Sequence, residues 1–193
     1  MVKLGFIAEG GTEKIILESP AFQAFLQEIN LDYVENVVDV TGNNNLLPKY
    51  LPNHIKILED QGANFFIILT DLDRDQCITL TKRRIGAPEF CLIIVSIKEI
   101  EAWFLSDSLA MQSVLKSEEY SCPEPESIDD PFSFIRELVY SQTGQGVGNS
   151  KIRLAKKMLK NGFSIPNAAS HPNCSSAQYF VNQLKETANF FNM

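Results

Sequence analysis

Four short apolar, β-branched runs recur along the first hundred residues with amphipathic stretches between them. That alternation constrains the fold more than any other feature. The runs are residues 2–8 (VKLGFIA), 33–40 (YVENVVDV), 65–70 (FFIILT) and 90–95 (FCLIIV). Strands this uniformly apolar are covered on both faces, which is the signature of a parallel sheet flanked by helices. Helical patterns are expected at 13–30, bent near Pro20, at 46–61 with an irregular entry at Pro48 and Pro52, and at 76–84. The expected unit is βαβαβαβ, an α/β domain over residues 1–107.

After residue 96 the rhythm changes. Ser96-Ile97-Lys98-Glu99 fits a capping box opening a helix through Trp103. A polar, proline-containing connector follows at 117–131, and further helices are expected at 132–140, 151–160 and 177–190. Residues 108–193 thus read as a helical C-terminal extension packed on the α/β domain. The connector holds six acids (Glu118, Glu119, Glu124, Glu126, Asp129, Asp130) and no base between 117 and 130, and reads as a solvated face. The helix at 151–160 holds five bases and no acid. A solvated face and a phosphate-contacting role for Lys151, Arg153, Lys156 and Lys157 stand equal there.

No apolar run approaches the roughly 18 residues of a membrane span, and the first residues do not form a secretory signal, so a cytoplasmic protein without membrane contact is expected. Cys77, Cys91, Cys122 and Cys174 form no C-x-x-C pair, and His54 and His171 lie far apart, which argues against zinc knuckles and disulfide scaffolds.

The chemistry is expected where strands end, because ligands of open parallel sheets collect beyond the carboxyl ends of the strands. Two strands end in acids. The first leads into Glu9-Gly10-Gly11-Thr12-Glu13, in which glycines permit a tight turn and Glu13 falls in the first turn of a helix. The third leads into Asp71-Leu72-Asp73-Arg74-Asp75, whose alternate carboxylates leave the strand toward one side. Acids so close repel one another unless a cation lies among them, and hard ions such as Mg²⁺ or Mn²⁺ take all-oxygen surroundings. Each turn alone has a plain explanation, a helix-dipole glutamate for Glu13 and a helix cap for the aspartates. Their coincidence at two strand ends of one sheet favours one or two divalent ions.

Glu9-Gly10-x-Thr12-Glu13 and Asp71-x-Asp73, in this order, resemble the Toprim domain of topoisomerases, bacterial primases, small ribonucleases and overcoming-lysogenization-defect nucleases. The later string Ile97-Lys98-Glu99-Ile100-Glu101-Ala102-Trp103-Phe104-Leu105-Ser106-Asp107 resembles the stand-alone DUF4276 group. The resemblance implies a Rossmann-like Toprim fold and divalent-metal-dependent cleavage of nucleic acid, in the setting of phage defence beside an ATPase made as a separate chain. It implies that Glu9 is an acid/base or a metal ligand, that Asp71 and Asp73 bind Mg²⁺, and that Glu13 helps to hold a second ion. Glu99 and Glu101 lie where the nuclease branch supplies another acid. Glu101 is favoured as functional, and Glu99 stays open between ligand and partner of Ser96. Asp75 extends the aspartate pair, and Lys98, Lys151 and Arg153 are candidates to steady transition-state charge.

Other readings of the same residues differ in what they explain. A haloacid-dehalogenase-type phosphatase would use Asp71 as nucleophile and Asp73 as acid or base, within Asp71-Leu72-Asp73-Arg74, but leaves Glu9 and Glu13 unexplained. A Toprim-like module that binds metal, nucleic acid or a partner without cleaving would keep the same ligands. A P-loop is excluded by the spacing of Gly10-Gly11-Thr12-Glu13-Lys14. Trp103, Phe104, Phe132, Phe134, Phe190 and Phe191 are expected to pack the extension onto the sheet rather than to stack on bases. The net charge of -7 does not forbid a polyanion: without the four ligand acids and the six connector acids, fourteen acids face seventeen bases.

Overall fold

The computed structural model describes residues 2–73 and 75–192, excluding the side chain of Asn192; Arg74 and the two terminal methionines lie outside the described residues. The chain forms a five-stranded, all-parallel sheet with helices on both faces. Its strands are β1 (Lys3–Ala8), β2 (Asp32–Tyr33), β3 (Val38–Asp39), β4 (Phe65–Asp71) and β5 (Cys91–Ser96). The order is β2-β1-β4-β5, with β3 also pairing with β1. The chain therefore leaves β1 toward one edge and crosses back over it to reach β4, so the topological switch point falls at the carboxyl ends of β1 and β4. Glu9 and Asp71 stand there.

Side chains on these strands alternate strictly between two cores. Leu4, Phe6, Ile67, Leu69 and Ile94 face one; Ile7, Phe66, Ile68, Ile93 and Val95 face the other. The second core is closed by α3 (Leu51–Glu59) and α4 (Ile78–Ile85). The first is closed by α1 (Gly11–Leu17), α2 (Pro20–Glu28), α5 (Glu101–Ser106) and the helices of the extension. Those helices are α6 (Ser108–Leu115), α7 (Pro131–Thr143), α8 (Lys151–Lys160), α9 (Ile165–Ala169) and α10 (Ser175–Asn192). The extension thus supplies much of one layer of the domain. Phe180 of α10 is stacked against both Trp103 and Phe22, with ring centroids 5.8 Å apart in each case. Such ring pairs are worth about 0.5–1.5 kcal/mol each beyond the area they bury.

The structure corrects several expected boundaries. The bent helix at 13–30 is two helices, because Pro20 opens α2 and the Ser19 side chain accepts a hydrogen bond from Phe22 N at 3.3 Å. The second strand is reduced to β2 and β3. Between them α1 captures the backbone: Glu18 Oε1 accepts from Val37 N at 3.1 Å, and Lys14 Nζ donates to Val37 O at 2.9 Å. The capping box at Ser96 and Glu99 does not form, since Ser96 ends β5 and the helix begins only at Glu101. Helices α6 and α9 replace segments without an expected helix, each started by a local cap, Asp107 for Ala110 N and Ser164 for Asn167 N.

The aromatic residues divide. Trp103 and Phe104 are fully buried and Phe132 packs against the core, whereas Phe134 and Phe190 are exposed (41% and 75%), on the outer faces of their amphipathic helices.

Candidate metal centre

The parallel register brings Asp71 opposite Ser96, and the strand alternation turns both toward the core face that carries α1 and α5. Asp71 Oδ1 accepts from the Ser96 hydroxyl and from Ile100 N at 2.9 Å. It thereby takes from a neighbouring strand the capping role expected of Ser96 and Glu99, and it holds the entry to α5. Glu9 Oε2 accepts from the Thr70 hydroxyl and from Asp71 N at 3.2 Å. Glu13 Oε2 accepts from Gly10 N at 3.0 Å, so Glu13 does serve the helix N-terminus, yet it is only 5% exposed.

Glu9, Glu13, Asp71 and Asp73 line one open cleft of about 410 Å³, together with Asp39 and Lys151. Asp73 has φ 48 and Lys98 φ 62, and Asp73 N donates to Lys98 O at 2.8 Å. Two left-handed non-glycine residues thus meet just past the ends of β4 and β5, a local strain of the kind that clusters at functional sites. Helix α8 packs close on α1 at Gly11, where a Cβ would lie 2.9 Å from the end of the Ile152 side chain. There α8 reaches the mouth of the cleft and carries Lys151 into it.

Lys151 is the cation that the extension supplies. Its ammonium lies 2.8 Å from Glu99 Oε1 and 3.4 Å from Glu101 Oε2. Glu101 is completely buried, and its Oε1, like Glu99 Oε2, has no hydrogen-bond partner.

One lysine does not neutralise this set. Burial, with further contributions from Glu101 and Glu9, raises the Glu13 carboxyl to about 7 against the bond from its own backbone N–H. Burial, opposed by Lys151 and reinforced by Glu99, raises Glu101 to about 7. Burial and the charges of Glu13 and Glu101 push Asp71 well above the ordinary aspartate range. Glu9 is raised by burial as well, despite its bonds from Thr70 and Asp71 N. Burial works against the charge of Lys151, but Glu101 and Glu99 more than offset it and hold the ammonium above the usual lysine range.

The other candidates are placed elsewhere. Asp75 accepts from Thr81 Oγ1 at 2.8 Å and pairs with Arg84 at 3.0 Å, which lowers its carboxyl and occupies its Oδ2. Lys98 is held by Asp129 at 2.7 Å and is absent from the cleft wall. Arg153 and Lys156 are exposed on the outer side of α8 and Lys157 is half-buried, while Leu154, Ala155 and Met158 face the core. Sequence reasoning missed Asp39, which lay inside an expected strand. It also missed Thr70 and Ser96, whose roles depend on the strand pairing.

Among the described residues no group of three or more histidine, cysteine or acidic side chains converges closely enough to hold a metal ion. Glu9, Glu13 and Asp71 are tied instead to backbone N–H groups and hydroxyls, and Asp73 accepts from the Asn43 amide at 3.4 Å. Mg²⁺ commonly takes only one or two protein carboxylates and completes its shell with waters and substrate phosphates. Among the described residues the donor set fits that mode, since the charged side chains on the cleft wall are carboxylates and one lysine. No protein-family model, curated protein or solved structure matches the chain.

Proposed function

We propose that the cleft binds a divalent ion, Mg²⁺ or Mn²⁺, and that the protein is a Toprim-like phosphodiester hydrolase acting on nucleic acid. The observation that carries this reading is the gathering of Glu9, Glu13, Asp71 and Asp73 at the switch point of a parallel sheet, with buried carboxyls held above their ordinary range. Such a site is paired with too little positive charge, and a bound cation would relieve it. When bound, the ion supplies Lewis-acid polarisation of a phosphate oxygen. Glu9 lies on the cleft wall, where its raised affinity for protons suits it to take a proton from a water and pass it on. Asp71 and Asp73 would orient the ion, and Arg153 and Lys156 on the outer side of α8 offer charge to a phosphate backbone.

The phosphatase reading leaves Glu9 and Glu13, which line the same cleft, without a role. The non-cleaving module has a specific observation in its favour, the rim of hydrogen bonds that keeps the acids apart. A single assay separates the two: plasmid DNA and RNA are incubated with the protein, Mg²⁺ or Mn²⁺, and the variants Glu9→Gln and Asp71→Asn. Cleavage lost in both variants supports the hydrolase. Metal binding lost in Asp71→Asn without cleavage by the parent protein supports the binding module, and cleavage that survives both substitutions overturns the site. Action beside a separate ATPase and a role in phage defence are parts of this proposal that rest on the family resemblance.

A further inference from the structure

Resting on the metal reading above, we infer that Lys151 occupies the place of a second divalent ion, so that the cleft takes a single ion on the side of Glu9, Asp71 and Asp73.

The acids form two groups. Glu9, Asp71 and Asp73 line the open cleft, with Glu13 beside them bound to Gly10 N. Glu99 and Glu101 lie behind Lys151, which contacts both, at 2.8 and 3.4 Å. Two carboxylates brought to one point, one of them wholly buried, ordinarily require a cation between them. Here it arrives on a neighbouring helix. The ammonium does not satisfy the pair, since Glu101 Oε1 and Glu99 Oε2 remain buried and without partners. A divalent ion in the ammonium's place would use the oxygens that face it, Glu99 Oε1 and Glu101 Oε2, and the lysine keeps it out by charge and by volume. Its position is built in: the Ser150 side chain caps α8 by accepting from Arg153 N at 3.3 Å, Leu154, Ala155 and Met158 anchor the helix in the core, and the helix packs against α1. A tethered cation costs no ligand-binding entropy and ties α5 to the extension. It leaves one exchangeable ion position, at the open wall.

The test counts ions. Mn²⁺ is titrated into the full chain by calorimetry, for the parent protein, Lys151→Met, Lys151→Arg and Lys151→Met combined with Glu101→Gln. The expected stoichiometry is one ion for the parent and for Lys151→Arg, two for Lys151→Met and one again for the double variant. Thermal unfolding checks each variant's fold and gives a second reading. Unpaired Glu99 and Glu101 should lower the melting temperature of Lys151→Met, and Mn²⁺ should restore it by a larger shift than it gives the parent. Two ions in the parent, or one in a folded Lys151→Met, overturn the inference while the metal site stands. If Lys151→Met does not fold in the absence of metal, failure of Mn²⁺ to restore folding counts against it equally. No ion bound by the parent overturns the metal reading itself.

Discussion

Two acidic regions of this chain carry similar charge and behave in opposite ways. In the cleft, Glu9, Glu13, Asp71 and Glu101 are pushed above their ordinary carboxyl range, chiefly by burial. In the connector at 117–130, Asp129 and Asp130 are pulled below it, by the Lys98 ammonium and by Ser133 N–H respectively. The connector is more than the solvated face expected of it. Glu126 accepts from the backbone N–H groups of Ser175 and Ser176 at 2.9 Å each, as well as from both hydroxyls, at the start of α10. Asp130 caps α7 by accepting from Ser133 N at 2.8 Å. Acids at exposed helix starts stabilise the fold. Acids gathered and buried at the carboxyl ends of β1 and β4 cost stability when charged.

The contrast breaks most sharply in activity. Glu9→Gln and Asp71→Asn should each lower metal-dependent cleavage by at least about 100-fold, whereas Glu118→Gln and Glu119→Gln should leave it within about twofold; initial rates on a nucleic-acid substrate decide it. Equal losses in both regions would erase the distinction.

The next largest effect is on stability against pH. Glu13 and Glu101 move from 4.5 to about 7 on folding, so between those values the folded chain holds more protons than the unfolded one. Stability is therefore full below about pH 4.5 and is lost as pH rises through about 7. The loss should be about 3 kcal/mol, taken as one group's shift because the charges are coupled. Urea unfolding of metal-free protein at pH 5 and pH 8 checks it, with Trp103, the one tryptophan, as a buried fluorescent reporter. Glu101→Gln should flatten the slope, and Mn²⁺ should restore stability at pH 8. A flat profile in the parent protein would remove the electrostatic basis of the site.

Smaller effects belong to the connector. Glu126→Ala leaves the first turn of α10 uncapped and should cost about 2 kcal/mol in the same unfolding assay, without changing metal binding. Asp129→Asn should not measurably move the unfolding midpoint, because the Asp129 side chain is 93% exposed and its pair with Lys98 is screened by water. A large loss there would give Lys98 a structural weight that its surroundings do not suggest.

Much of this was legible beforehand because it depends on local chemistry. The apolar runs located β1, β4 and β5, and the bounds of α8 at 151–160 were as expected from its bases and its apolar positions. Glu9, Glu13, Asp71 and Asp73 were nominated as one group from the ends of two strands, and the same cleft holds them. Some misread parts were local caps, at Ser19, Asp107 and Ser164, and three others involve a partner distant in sequence. Val37 leaves the sheet because Glu18 and Lys14 take its backbone groups. Ser96 turns from helix cap to hydrogen-bond donor because parallel register sets it beside Asp71. Lys151, one of five bases on a helix, becomes the counter-ion of Glu99 and Glu101 because that helix packs against α1.

The sequence by itself determined the periodicity: which runs become strands of a doubly covered parallel sheet, and therefore which acids leave its carboxyl edge. That information is local, since side-chain alternation and turn chemistry need only neighbouring residues. The tertiary structure alone decided which acids are buried, which are capped, and that Lys151 faces Glu99 and Glu101. Burial and pairing are relations between distant residues, and the free energy of a charge is set by what surrounds it.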